Sequence, residues 1–133
     1  MLTKNNWQEA FDLLHDYAVV DYLFYGDICS YHFLSFEGVK ELVKKKYLYL
    51  SERQNYSPAV RDWIKFIEEN CLQDKVYFHG YIVDKIRSDR RITIEGIQSK
   101  EDVEFSESEL KCIADFCHSA DTFRMQPLYV WWD

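Results

Sequence analysis

Glycine and proline are scarce in this sequence, with 4 glycines and 2 prolines among 133 residues. Their scarcity excludes collagen-like repeats and low-complexity linkers. The glycines, at positions 26, 38, 80 and 96, are too widely spaced to build a phosphate-binding loop. Long apolar runs are missing as well. The longest uncharged run spans nine residues, 28–36, whereas a bilayer-spanning helix needs about 20. Since no signal peptide is visible either, we expect a cytoplasmic chain with free thiols and no membrane contact.

Catalytic and cofactor motifs are also missing. The sequence has no H-E-x-x-H, G-x-S-x-G, P-loop, G-x-G-x-x-G or zinc-deaminase pattern. Four residues have a spacing loosely suited to a metal or a Cys–His pair: Cys29, His32, Cys117 and His118. Residues three apart on a strand point to opposite faces, and adjacent helical residues diverge by about 100°. We therefore expect no cofactor and no metal, with buried cysteines acting as small apolar side chains.

Positive charge is in deficit. The chain has 16 basic and 23 acidic residues, a net charge of −7. Binding to bare nucleic acid depends on neutralising phosphates, so direct nucleic-acid binding is not expected. The two halves of the chain are similarly acidic, which suits one domain spanning residues 1–133. A surface of this sign favours a protein partner with a basic surface.

Apolar residues are plentiful, at 47% of the chain, and aromatics make up 17%. This excludes an intrinsically disordered protein. Asn6 with Glu9 predicts a capping box and a first helix. Residues 19–25 and 28–34, on either side of Gly26-Asp27, predict a hairpin, with a first helix extended to Tyr25 as the alternative.

Three further helices and a second hairpin follow. Ser35, the pair Ser57-Pro58, and Ser106 with Glu109 predict the three helix starts. Residues 76–85 and 91–97 predict two strands joined at 88–90, with Ile92 and Ile94 inward and Thr93 and Glu95 outward. Pro127 makes residues 122–132 an edge strand or extended tail. The predicted fold is α+β: one domain with a mainly antiparallel sheet from two hairpins plus a C-terminal strand, packed with about four helices.

Two features indicate a binding surface. Residues 100–121 contain seven carboxylates against two lysines. Part of this charge complements a helix dipole, and the rest is either a solvated face or a docking surface. The chain then ends in Leu128-Tyr-Val-Trp-Trp-Asp133, with aromatic types that dominate interface hot spots. The predicted partner-binding residues are Glu101, Asp102, Glu104, Glu107, Glu109, Tyr129, Trp131 and Trp132.

The C-terminal tail also carries a resemblance. Ala120-Asp121-Thr122-Phe123, followed by Pro127 and Trp131-Trp132-Asp133, resembles the ends of uncharacterised small acidic proteins from bacteria and their mobile elements. The likeness covers less than a fifth of the chain and transfers no functional residue. It implies a bacterial or phage source.

These observations predict a non-enzymatic interaction protein, of the inhibitor or immunity type, that occludes a basic partner surface. One alternative is a small metalloprotein or Cys/His enzyme with a site assembled from Cys29, His32, Cys117 and His118. Another is a small-ligand-binding module with an aromatic pocket. A homodimer through an edge strand near residues 123–132 is a further expectation, although Pro127 interrupts continuous pairing.

Overall fold

A computed structural model describes residues 2–21 and 23–133. Within these residues four helices pack against a sheet of six strands. The helices are α1 (Trp7–Tyr17), α2 (Phe36–Lys44), α3 (Val60–Glu69) and α4 (Glu107–Phe116). The strands are β1 (Val19–Val20), β2 (Ile28–Leu34), β3 (Val76–Val83), β4 (Gly96–Ser99), β5 (Thr122–Met125) and β6 (Leu128–Trp131). The α+β prediction is confirmed.

The sheet has the strand order β1-β2-β3-β4-β6-β5, and all neighbouring strands are antiparallel. The predicted hairpins correspond to β1–β2 and β3–β4, but β4 overlaps only the end of the predicted strand 91–97, in which Ile92 forms an isolated bridge with Ile82. The segment predicted as a single edge strand or tail instead forms a third hairpin, β5–β6, and β6 lies inside the sheet. Pro127 occupies the turn between its strands, where a missing N–H removes no ladder hydrogen bond.

The first helix and strand differ in detail from their prediction. The side chain of Asn6 accepts a hydrogen bond from Thr3 N–H at 2.6 Å and does not cap the helix, so the predicted box with Glu9 is wrong. The helix ends at Tyr17, which also excludes its extension to Tyr25. Strand β1 has two residues of the predicted seven, and Tyr22 lies outside the described residues.

Of the other three helix starts predicted from local caps, two are confirmed. Ser35 accepts from Gly38 N–H, and Ser106 forms a complete capping box with Glu109. Helix α3, however, begins after Ala59 rather than Ser57, because the Ser57 hydroxyl accepts from Gln54 N–H.

The core lies between the helices and one face of the sheet. Trp63 of α3 makes edge contacts with Phe78 of β3, Phe116 of α4 and Trp132, at centroid distances of 5.1–5.8 Å. Gly38 of α2 packs so closely on Leu34 of β2 that an added Cβ would collide with it. All these contacts are on the Phe78 face of the sheet, and the alternate side chains of each strand point to the opposite face.

Residues 91–95 pair with β3 less regularly than predicted. Thr93 was expected to face solvent, but it is fully buried. Its hydroxyl accepts from Tyr81 N–H and its N–H donates to Tyr81 O, which satisfies the buried polar groups. In the described residues, no helix is long and apolar enough to cross a membrane.

Candidate functional site: an acidic groove beside the sheet

A row of polar and aromatic side chains crosses the face of the sheet opposite Phe78, which we call the open face. Tyr77 of β3 is paired with Gln98 of β4, Gln98 with Tyr129 of β6, and Tyr129 with Arg124 of β5. Because neighbours on a strand alternate between faces, all four lie on the side opposite Phe78. The row thus places one amide between two phenol rings.

Phe33 extends this row onto β2. The β2–β3 register shifts between Tyr31 and Leu34, and Phe33 adopts a positive φ of 61° at this bulge. Its ring meets Tyr77 edge-on at 5.7 Å and is 44% exposed. The bulge therefore turns an apolar ring onto the open face.

His79 of β3 supports the ring of Tyr129. His79 lies over Gly96, where an added Cβ would collide with the imidazole and with the carbonyl of Val130. Its Nε2–H donates to that carbonyl at 2.9 Å, and its ring stacks on Tyr129 at 4.9 Å with an interplanar angle of 2°. Burial lowers the pKa of His79 to about 4, so a neutral ring supports Tyr129 at neutral pH.

Contacts with Lys75 hold the acidic segment, residues 100–105, next to the sheet. The Lys75 ammonium donates to Glu104 O at 2.8 Å and to Glu109 Oε1 at 2.9 Å, and it lies 5.6 Å from the Phe105 ring centroid. Asp102 has a positive φ of 57°, which marks a sharp turn. The capping box of α4 follows immediately, so both ends of the segment are fixed.

Between the acidic segment and the sheet lies a groove of about 810 Å³. Its walls include Glu101, Asp102 and Glu104 on one side and Phe33, Gln98 and Tyr129 of the row on the other, while Leu110 of α4 and Leu128 also line it and Tyr77 does not. We call this the acidic groove; its lining also includes Phe33, Gln98, Lys100, Phe105, Arg124, Met125, Pro127 and Tyr129. Three carboxylates face two cations, which leaves the lining negative.

Both cations in the lining rest on aromatic rings. The Lys100 ammonium is 4.9 Å from the Tyr77 centroid, and the Arg124 guanidinium is 5.2 Å from the Tyr129 centroid. Such contacts arise because the ring face is electrostatically negative. The rings of Tyr77 and Tyr129 therefore offer faces that bind cations.

The structure brings together half of the residues predicted to bind a partner. Glu101, Asp102, Glu104 and Tyr129 line the acidic groove. Glu107 is exposed in the first turn of α4, outside that lining.

The other predicted residues are placed differently. Glu109 is engaged by Lys75 and by the capping box, and hydrogen bonds from Ser106 N–H and Lys75 hold its pKa below the usual value. Trp131 is half-buried on the open face, and its indole N–H is 3.4 Å from Glu95 Oε2. Trp132 is 1% exposed and packs on Trp63, so it cannot contact a partner in this fold.

The four cysteine and histidine candidates lie apart. Cys29 is buried on the helix side of β2 and donates to Asp21 O at 3.1 Å, whereas His32 lies near His79 on the open face. Cys117 is buried at the end of α4, and burial raises the pKa of its thiol to about 12. His118 is exposed. Among residues 2–21 and 23–133, no three metal-ligating side chains cluster.

Apart from Tyr129, sequence reasoning missed the residues of the groove outside the acidic segment. Gln98 and Arg124 of the groove, and Tyr77 beside Gln98, were not predicted, because nothing local shows that the strands align them. Phe33 was placed in a regular strand, although its partner contacts depend on a bulge. The alternation Tyr77, His79, Tyr81 along β3 was the one available signal for an aromatic open face.

Comparison with protein-family models, with curated proteins and with solved structures finds no match to this chain. Inference about function therefore rests on the groove.

Proposed function

We propose that this chain is a non-enzymatic protein-interaction module whose acidic groove binds a basic segment of a partner protein. The observation that supports this most is the convergence of Glu101, Asp102 and Glu104 on an aromatic row that already holds two cations. A partner surface bound there would be occluded, as in inhibitors or immunity-type proteins.

The net charge of the whole molecule also favours a basic partner. A net charge of −7 accelerates encounter with a basic partner and repels phosphate backbones, so the proposal excludes direct nucleic-acid binding. We expect a cytosolic location, in keeping with four cysteines that are all unpaired. The homodimer stays a prediction. Within the C-terminal hairpin, β5 is at the end of the sheet order, whereas β6 is enclosed by β4 and β5, so β5 is the strand of that hairpin with a free edge.

The test compares two variants of equal net charge for binding to a short oligolysine peptide by calorimetry. The groove variant carries Glu101→Gln, Asp102→Asn and Glu104→Gln, where Asn is chosen because it tolerates the positive φ at position 102. The control carries Asp16→Asn, Glu69→Gln and Asp115→Asn, all exposed on helices outside the groove. Each changes the net charge from −7 to −4.

We expect the groove variant to lose about ten-fold in affinity and the control about two-fold or less, because close charges act more strongly than distant screened ones. Salt should weaken binding to the unmodified chain more steeply than binding to the groove variant. Equal losses in the two variants would mean that net charge alone attracts the peptide, and the groove would have no role.

A further inference from the structure

The floor of the acidic groove contains an unusual polar atom. In the part of the chain that the structure describes, the side-chain oxygen of Gln98 is buried and accepts no hydrogen bond. A buried acceptor without a donor is destabilising, because it has lost its hydrogen bonds to water. Gln98 lines the groove, so a group entering it is well placed to supply that donor.

The neighbours of Gln98 define what that group must be. Tyr77 and Tyr129 lie directly across the adjacent strands on either side, and Phe33 adds an exposed ring beyond Tyr77. Paired residues on adjacent strands are about 5 Å apart, so a group in the groove above Gln98 lies near the rings of Tyr129 and Phe33, which share the groove lining. It must therefore have apolar flat faces, a donor for the amide and positive charge for the carboxylates.

We infer that the groove recognises arginine in preference to lysine, and that Gln98 determines this preference; the inference rests on the proposed function. A guanidinium is planar, carries five N–H donors and is weakly hydrated. It can donate to Gln98 and to a carboxylate together while its faces lie along the rings. An ammonium has no flat face and is strongly hydrated, so it gains less over an aromatic floor.

The protein's own side chains illustrate both modes. Arg124 lies over Tyr129 with its guanidinium 5.2 Å from the ring, while Lys100 contacts Tyr77 as a point charge. Arg124 is exposed, so an incoming arginine can displace it without disturbing the core.

The experiment measures the affinity of the chain for two peptides of equal charge with blocked termini. In one peptide three arginines alternate with glycine, and in the other three lysines do. Binding to the unmodified chain should be about ten-fold tighter for the arginine peptide. Gln98→Leu should reduce this ratio to about two-fold or less, because it should weaken binding of the arginine peptide more than binding of the lysine peptide. Gln8→Leu, on the exposed side of α1, is the matched control and should keep the full ratio.

The remaining outcomes separate the two proposals. If both peptides bind equally well, or if Gln98→Leu keeps the ratio, arginine recognition by Gln98 is wrong while the basic-segment groove stands. If neither peptide binds, both proposals fail. Gln98→Leu should melt no lower than the unmodified chain, because it removes an unsatisfied oxygen, so a loss of the ratio does not reflect unfolding.

Discussion

At the scale of single residues, folding changes the proton affinity of His79. Its ring is 3% exposed, lies between Gly96 and Tyr129, and donates to a backbone carbonyl. Desolvation lowers its pKa from 6.5 to about 4. The unfolded chain therefore binds more protons than the folded chain within that interval, and stability rises with pH across it.

We predict that acidification from about pH 6.5 to about pH 4 costs up to about 3 kcal/mol of stability through His79. The His79→Phe variant keeps an aromatic ring against Tyr129 but cannot titrate. Urea unfolding at several pH values should give a shallower slope for this variant within the interval. Parallel slopes for both proteins would show that carboxylates alone cause the acid sensitivity.

At the scale of elements, the β5–β6 hairpin decides how much of the groove is free. The Arg124 guanidinium and the His79 ring both lie against the Tyr129 ring, at 5.2 Å and 4.9 Å from its centroid. The hairpin thus contributes both a receptive ring and a cation that competes for it.

Arg124→Gln should accordingly strengthen binding of the oligolysine peptide by about three-fold, since it removes a repulsive charge and frees a ring face worth about 0.5–1 kcal/mol to a cation. The control is Arg53→Gln, which makes the same charge change at an exposed position outside the groove lining. Weaker binding of the Arg124 variant would mean that Arg124 contributes to the partner site instead.

The same elements show what sequence reasoning can reach. Helix α4 was predicted because Ser106 and Glu109 cap it within four residues. The start of α3 was misplaced because Ser57 accepts from Gln54, an alternative that the sequence does not distinguish from a cap. The C-terminal hairpin was missed because Pro127 reads equally well as a turn residue or as a strand breaker.

Only the part of the candidate site that is formed by residues close together in the sequence could be predicted. Glu101, Asp102 and Glu104 are adjacent in sequence, so their joint charge is visible there. Gln98 enters the site through pairing with Tyr129, a residue more than thirty positions later. Such a contact depends on strand order, which local patterns do not determine.

At the scale of the whole molecule, the thiols divide by burial. Cys71 and Cys112 are exposed, whereas Cys29 and Cys117 are buried. Burial raises the pKa of both buried thiols, to about 12 for Cys117, so neither forms the reactive thiolate in the folded chain.

An aromatic disulfide reagent at neutral pH should therefore label two thiols quickly and the other two only at the rate of unfolding. Replacing both Cys71 and Cys112 with Ser should abolish the fast phase and leave the slow one. Rapid labelling of all four thiols without denaturant would contradict the buried placement of Cys29 and Cys117.

The four tryptophans differ in solvent exposure, which determines how readily their fluorescence is quenched. Trp7, Trp63 and Trp132 are 5%, 0% and 1% exposed, whereas Trp131 is half-buried on the open face, two residues along β6 from Tyr129. A collisional quencher such as acrylamide can thus extinguish mainly one emitter. Its emission provides an intrinsic optical reporter beside the groove, and shielding from the quencher would signal occupancy without any attached dye.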